Sequence, residues 1–279
     1  FYFASGLGVW FSLGKCSGAA EFYKRRAIKI FPMYWCFIVL WLIFRFAIGE
    51  MTIPMAIGNV LGIQVLFGME GAFNWYITYL LFFYLLAPFI KKLYDFLKKD
   101  LLCLVCIGAA FALLYIFCHV PQLTVGLSRL PVFALGMYFG KRAEERERFS
   151  LPGQIILLAL LPVGYALALY FGQDFLRGWD SGLLWYPVLL SVPGSCLLLS
   201  ALGKLWNERP TGVFGFLGGW TMELYYMHIF VLEIYQKVFT LRLGIPFSYL
   251  HLLPIAVTIL LGCLFLRKVV EWLRGCYNC

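Results

Sequence analysis

The chain has 279 residues, 62% of them hydrophobic and only 13% charged, with a mean hydropathy of +0.84. Soluble domains carry about a quarter charged residues, so an ordinary soluble enzyme is excluded. The net charge of +9 would suit nucleic acid, but in a membrane chain such a surplus belongs to cytoplasmic loops. The expected partner is therefore the lipid bilayer, with no nucleic acid.

The opening stretch Phe1-Tyr2-Phe3-Ala4-Ser5-Gly6-Leu7-Gly8-Val9-Trp10-Phe11 is already apolar, and Lys15 interrupts it. A spanning helix needs roughly 20 residues. The segment therefore reads as a partial transmembrane helix whose upstream sequence is missing. Next comes Arg25-Arg26-Ala27-Ile28-Lys29-Ile30-Phe31-Pro32-Met33-Tyr34, where dense positive charge runs directly into an apolar segment. On a helix starting near Glu21, Arg25, Arg26 and Lys29 share one side. Two guanidinium forks and an ammonium suit a polyphosphate, but from the residues alone the favoured reading is a topology anchor that meets anionic headgroups.

Apolar runs of spanning length follow at 31–48, 75–90, 101–119, 124–140, 153–172, 182–202, 213–239 and 248–268. The run at 53–68 is shorter and contains Pro54, Gly58, Asn59, Gly62, Gln64 and Gly68. If it spanned, Lys91, Lys92, Lys98 and Lys99, and again Lys141, Arg142, Arg146 and Arg148, would face outward against the positive-inside rule. If it does not, all the basic loops and the tail with Arg267, Lys268 and Arg274 fall on one side. The prediction is an all-α, polytopic transmembrane bundle of about nine helices, the first partial, out of an expected ten. A re-entrant or interfacial outer helix near 53–68 accompanies them and lines a polar cavity. Residues 1–279 form a single integral-membrane domain on this reading. The stretch Lys141–Arg148 reads as a solvated face of mixed charge.

Three further constellations carry possible chemistry. Trp75 and Tyr76 open an aromatic helix, as a membrane anchor and packing face or as substrate contacts. Arg129 stands near an outer helix end, snorkelling or holding a polar ligand, and Gly136 and Gly140 form a small-residue face for helix packing. Thr221-Met222-Glu223-Leu224-Tyr225-Tyr226-Met227-His228 puts an acid and a histidine inside one apolar span, where function or a buried partner is the default. Glu223 can touch Tyr226, and Tyr225 can touch His228, at i, i+3. His119 and His251 lie at helix ends and are assigned nothing. The nine cysteines show no spacing that reads as a zinc site, so no metal is expected. From the residues alone, a transporter and a transmembrane transferase fit equally.

The chain resembles the acyltransferase-3 family of bacterial integral-membrane acyltransferases. Phe3-Ala4-Ser5-Gly6 is similar to the family's F-x-x-S-G helix, and Arg25 to Tyr34 to its R-R-x-x-R-I-x-P-x-Y. Asn74-Trp75-Tyr76-Ile77 is similar to W-[FY]-[IL], Arg129-Leu130-Pro131-Val132-Phe133-Ala134-Leu135-Gly136 to R-x-P-x-F-x-x-G, and Glu223-Leu224-Tyr225-Tyr226-Met227-His228 to E-[IL]-Y-L-x-H. The resemblance implies a multi-pass protein of the bacterial cytoplasmic membrane that moves an acyl group, typically acetyl, from cytoplasmic acyl-CoA to a sugar or envelope-glycan hydroxyl. Acyl-CoA would be a donor substrate, with no permanently bound cofactor. Ser5, Gly6, Arg25, Arg26 and Lys29 would bind it, although Lys29 replaces the family's Arg and loses the fork. Trp75, Tyr76 and Arg129 would line the acceptor cavity, and Glu223, Tyr225 and His228 would support the reacting centre. The family's catalytic histidine is expected upstream of Phe1, so this stretch alone is expected to be inactive. The alternative is a transporter or flippase for a lipid-linked or acylated glycan.

Overall fold

The computed structural model describes residues 1–68, 75–97, 105–109, 126, 129–145, 150–172, 186–205, 218–246 and 248–277. In chain order the helices are α1 (Tyr2–Gly14), α2 (Ala19–Ala47), α3 (Ile53–Leu61), α4 (Trp75–Leu97), α5 (Leu130–Glu144), α6 (Leu151–Gly172), α7 (Tyr186–Leu205), α8 (Thr221–Ile234) and α9 (Leu252–Tyr277). Among the described residues no strand occurs, as the all-α prediction requires. Where no water reaches the backbone, a helix satisfies its N–H and C=O groups within one segment. The chain divides into two compact units. One is Phe1–Lys24 with Trp75–Glu208, and the other is Arg25–Asn74 with Arg209–Cys279.

In the first unit α1 and α5 run parallel at close range. Gly136 rests on the Phe3 carbonyl, Gly6 on the Phe133 carbonyl, and Gly140 against Trp10 and Leu7. Small residues let the two backbones approach, which is how helices pack where no hydrophobic effect drives them together. Trp10 Nε1 donates to Glu144 at 2.6 Å at one end of the crossing, and Lys91 lies 4.7 Å over the Trp10 ring. The mixed-charge stretch is therefore partly helical packing surface rather than only a solvated face. Lys91 and Lys92, predicted in a loop, ride on the last turns of α4. Helices α6 and α7 form a pair in which Gly194 sits on the Leu157 carbonyl. Ile155, Ile156, Val163 and Leu169 of α6 face outward, as a lipid-facing helix allows.

In the second unit α8 keeps pace with α2. Tyr226 stacks on Phe37 with centroids 4.4 Å apart, Phe230 stands edge-on to Phe37 and Phe44, and Trp41 donates to Glu233 at 2.8 Å. The two helices are thus parallel. Helix α9 returns antiparallel, with Arg267 4.5 Å over Trp220 at one end and His251 bonded to Tyr235 at the other. This places Arg267 at the same end of the unit as Arg25, Arg26 and Lys29, in keeping with the charge argument.

Three helices among the described residues are long and apolar enough to cross a membrane: Ala19–Ala47, Leu151–Tyr170 and Tyr249–Leu273. The sequence pattern predicts more, and the reasons for the difference are local. Most of 101–119 lies outside the described residues, and in the 124–140 and 213–239 runs the described helices begin only at Leu130 and Thr221. Helix α8 also gives way to a π-helical turn over Tyr235–Arg242.

The 53–68 segment does not cross. Thr52 caps α3, Pro54 sits in its first turn, and Gly62 ends it in the left-handed conformation at φ 73°. Its 9 residues reach only roughly 14 Å at 1.5 Å per residue, against a hydrocarbon core of about 30 Å. It runs back along α2 instead. The Tyr34 hydroxyl donates to the Asn59 carbonyl, and Trp35 Nε1 donates to the Val60 carbonyl at 3.2 Å. Tyr34 lies roughly 16 Å along α2 from Arg45, at whose level the segment begins. The α3 tip therefore returns deep beside a helix able to span, which is re-entrant rather than interfacial geometry.

Candidate functional site

The basic cluster lies on α2, as predicted, within its first three turns. Arg26 is half-buried, whereas Arg25 and Lys29 are exposed. Along the same face the chemistry changes within two turns to an aromatic and acidic layer. Tyr34 is fully buried, with its ring centroid 6.4 Å from that of Tyr226, and Glu223 is 5% exposed one turn below Tyr226. Glu223 faces α9 near Cys263. The predicted Glu223, Tyr225 and His228 thus lie on one helix, but only Glu223 is buried with Tyr226. Tyr225 stands edge-on to His228 at 6.0 Å.

The two described histidines hold opposite tautomers. His228 Nδ1 lies 2.6 Å from the Leu224 carbonyl, which can only accept, so Nδ1 carries a hydrogen and a neutral ring keeps its lone pair on Nε2. His251 Nδ1 receives the Ser248 N–H at 3.1 Å and the Tyr235 hydroxyl at 2.5 Å, so its hydrogen is on Nε2. His251 is accounted for as a cap of the short helix Tyr249–His251. His119 lies outside the described residues.

In the first unit Ser5, Trp75, Tyr76 and Arg129 come together, although the sequence reading divided them between donor and acceptor. Arg129 is 3% exposed, with its guanidinium 4.8 Å over the Trp75 ring. Tyr76 is hydrogen-bonded to Ser5, and the Tyr2 hydroxyl donates to the Tyr76 carbonyl at 3.2 Å. The ring's quadrupole attracts the guanidinium and offsets part of the cost of burying it. Gly6 is different, because its missing side chain is spent on the crossing with Phe133.

One family model, described as an acyltransferase domain, matches residues 1–267 and so runs through both units. The chain belongs to the acyltransferase-3 family. It is a membrane acyltransferase, an enzyme that moves acyl groups other than aminoacyl groups. No curated protein and no solved structure matches it.

Sequence reasoning missed a charge network in the second unit of this acyltransferase. Arg45, near the end of α2, is 3% exposed and pairs with Glu50 at 2.9 Å and Glu233 at 3.2 Å. Lys237 reaches Glu50 at 2.8 Å, and Arg242 donates to the Ile48 carbonyl at 2.5 Å. The only signal in the sequence was an Arg–Glu pair at the far ends of two apolar runs.

Glu50 lies outside the spanning helices, in the turn before α3. The hydrogen bond from Lys237 holds its carboxyl below the usual carboxylate range, helped by the charges of Arg45, Lys237 and Arg242 and opposed by partial burial. A depressed carboxylate pKa stabilises the fold above the unfolded value, about 4.3 for Glu, and that stabilisation is lost as pH falls through the folded value. Amide-exchange protection of the turn at 48–52 should therefore hold at pH 5 and above and decline below about pH 4. Neutral Glu50→Gln should remove this acid limb.

Proposed function

We propose that the protein is an O-acyltransferase, most simply an O-acetyltransferase, that takes its acyl group from acyl-CoA at the basic end of α2. The single observation carrying this reading is the arrangement on that helix. A half-buried Arg26 flanked by Arg25 and Lys29 stands two turns from the buried Tyr34, Tyr226 and Glu223 layer. Phosphates of the donor would be held by the guanidinium forks and the ammonium, leaving the thioester to reach toward the apolar interior. The acceptor would be a hydroxyl of a sugar or envelope glycan. Its oxygen attacks the thioester carbonyl, a C–O bond forms as the C–S bond breaks, and the hydroxyl proton ends on the CoA thiol. None of the three histidines is assigned as the general base; Glu223, Tyr225 and His228 support the layer where the ester forms. In the first unit, Arg129 against Trp75, with Tyr76 and Ser5, offers the aromatic face and hydrogen-bonding groups that suit a sugar. The setting would be the bacterial cytoplasmic membrane, with the basic ends facing the cytoplasm.

The test uses the intact protein in membrane vesicles of its own source, where the natural acceptor is present, with [14C]acetyl-CoA as the probe. The expected result is label in a base-labile ester with release of CoA. Movement of a lipid-linked glycan across the vesicle without CoA release would support a flippase and overturn the transfer reading.

A further inference from the structure

Arg45 belongs to neither the donor nor the acceptor groups proposed above. An ion inside a spanning helix is costly, and a well-packed apolar residue would give as much cohesion. What an apolar residue could not do is pair with carboxylates from two different elements at once. The Arg45 guanidinium meets Glu50 in the turn before α3, Met55 Sδ at 4.0 Å in the first turn of α3, Glu233 on α8, and the ring of Trp41 at 5.3 Å. Trp41 and Lys237 complete the set by donating to Glu233 and Glu50. Helix α3 is thus tied at its mouth by Arg45 and at its tip by Tyr34 and Trp35. Asn59 at the tip is fully buried, and its side-chain amide donates to the Met55 carbonyl at 2.8 Å, so mouth and tip are mechanically joined. The π-helical turn at Tyr235–Arg242 carries Lys237 and Arg242 on the same network. Such turns recur at functional sites.

We propose that Arg45 is a positioning residue. It fixes the depth of α3 in the bilayer and, through the Asn59–Tyr34 bond, the position of Tyr34 beside Tyr226 and Glu223, the layer where the ester forms. The half of this statement that concerns the ester-forming layer rests on the acyl-transfer reading; the depth of α3 does not.

The test compares the intact protein with Arg45→Gln and Arg45→Lys. Hydrogen exchange reads residues 53–62, acetyl-CoA titration reads the donor side, and vesicle label transfer reads the reaction. Arg45→Gln is expected to speed exchange at 53–62 about tenfold or more and to lower transfer similarly, with acetyl-CoA affinity unchanged. Arg45→Lys keeps the charge without the fork and should fall between the two. Unchanged exchange at 53–62 in both variants overturns the proposal. So does a uniform rise in exchange across the chain in the lysine variant, or an equal loss of donor affinity and transfer, because either marks a general structural role. Local release at 53–62, with no transfer even in the unaltered protein, upholds the clamp and removes the acyl-transfer reading instead.

Discussion

Gly136→Leu should leave no monodisperse protein in detergent, and Gly136→Ala should lower the unfolding midpoint measurably. At Gly136 an added Cβ falls on the Phe3 carbonyl oxygen, with the Phe3 carbonyl carbon at 2.9 Å and the Leu7 nitrogen at 3.1 Å. All three are backbone atoms of α1, which cannot swing aside as a flexible side chain can. Overpacking at such a contact costs about 1–3 kcal/mol or more, and leucine adds three more carbons to the clash. Gly6 faces the same obstacle from the other side, against Phe133. Gly8 is the control on the same helix, since a Cβ there meets nothing within 4 Å. Gly8→Ala should be neutral or stabilise by up to about 1 kcal/mol through helix propensity. Loss at Gly136 without loss at Gly8, measured by size-exclusion profile and thermal scan, would establish the α1–α5 crossing as the keystone of the first unit.

Much of this was legible in the sequence where the signal is local. The small-residue spacing of Gly136 and Gly140 announced a close helix crossing. That 53–68 would not span followed from the charge of the flanking loops, and Gly62 at positive φ is the residue that turns it. The Arg25, Arg26 and Lys29 face followed from helical spacing alone. What could not be read was pairing over long separations. Arg45 and Glu233 are 188 residues apart, and Trp10 and Glu144 are 134 apart, so no periodicity links them. The same limit hid the packing of Gly6 against Phe133. The hydrogen bond between Ser5 and Tyr76 was hidden in the same way, because it joins α1 to α4 across a long stretch of chain.

The central claim is that acyl-CoA docks at the basic end of α2, and Arg26 should carry more of that affinity than its neighbours. Arg25 and Lys29 are exposed, so water already screens them, and each should contribute only about 1 kcal/mol or less. Arg26 is half-buried, where a charge-assisted bond to phosphate is less screened. Reversing its charge removes that bond and sets a carboxylate against the phosphates, a change of about 3 kcal/mol or roughly a hundredfold in affinity. The measurement is an equilibrium titration of acetyl-CoA against the intact protein, Arg25→Glu and Arg26→Glu, all in bilayer nanodiscs. The account predicts saturable binding to the unaltered protein, a modest weakening at Arg25, and loss at Arg26. Equal affinity in all three, or no saturable binding to any, would contradict it and leave the cluster as a topology anchor.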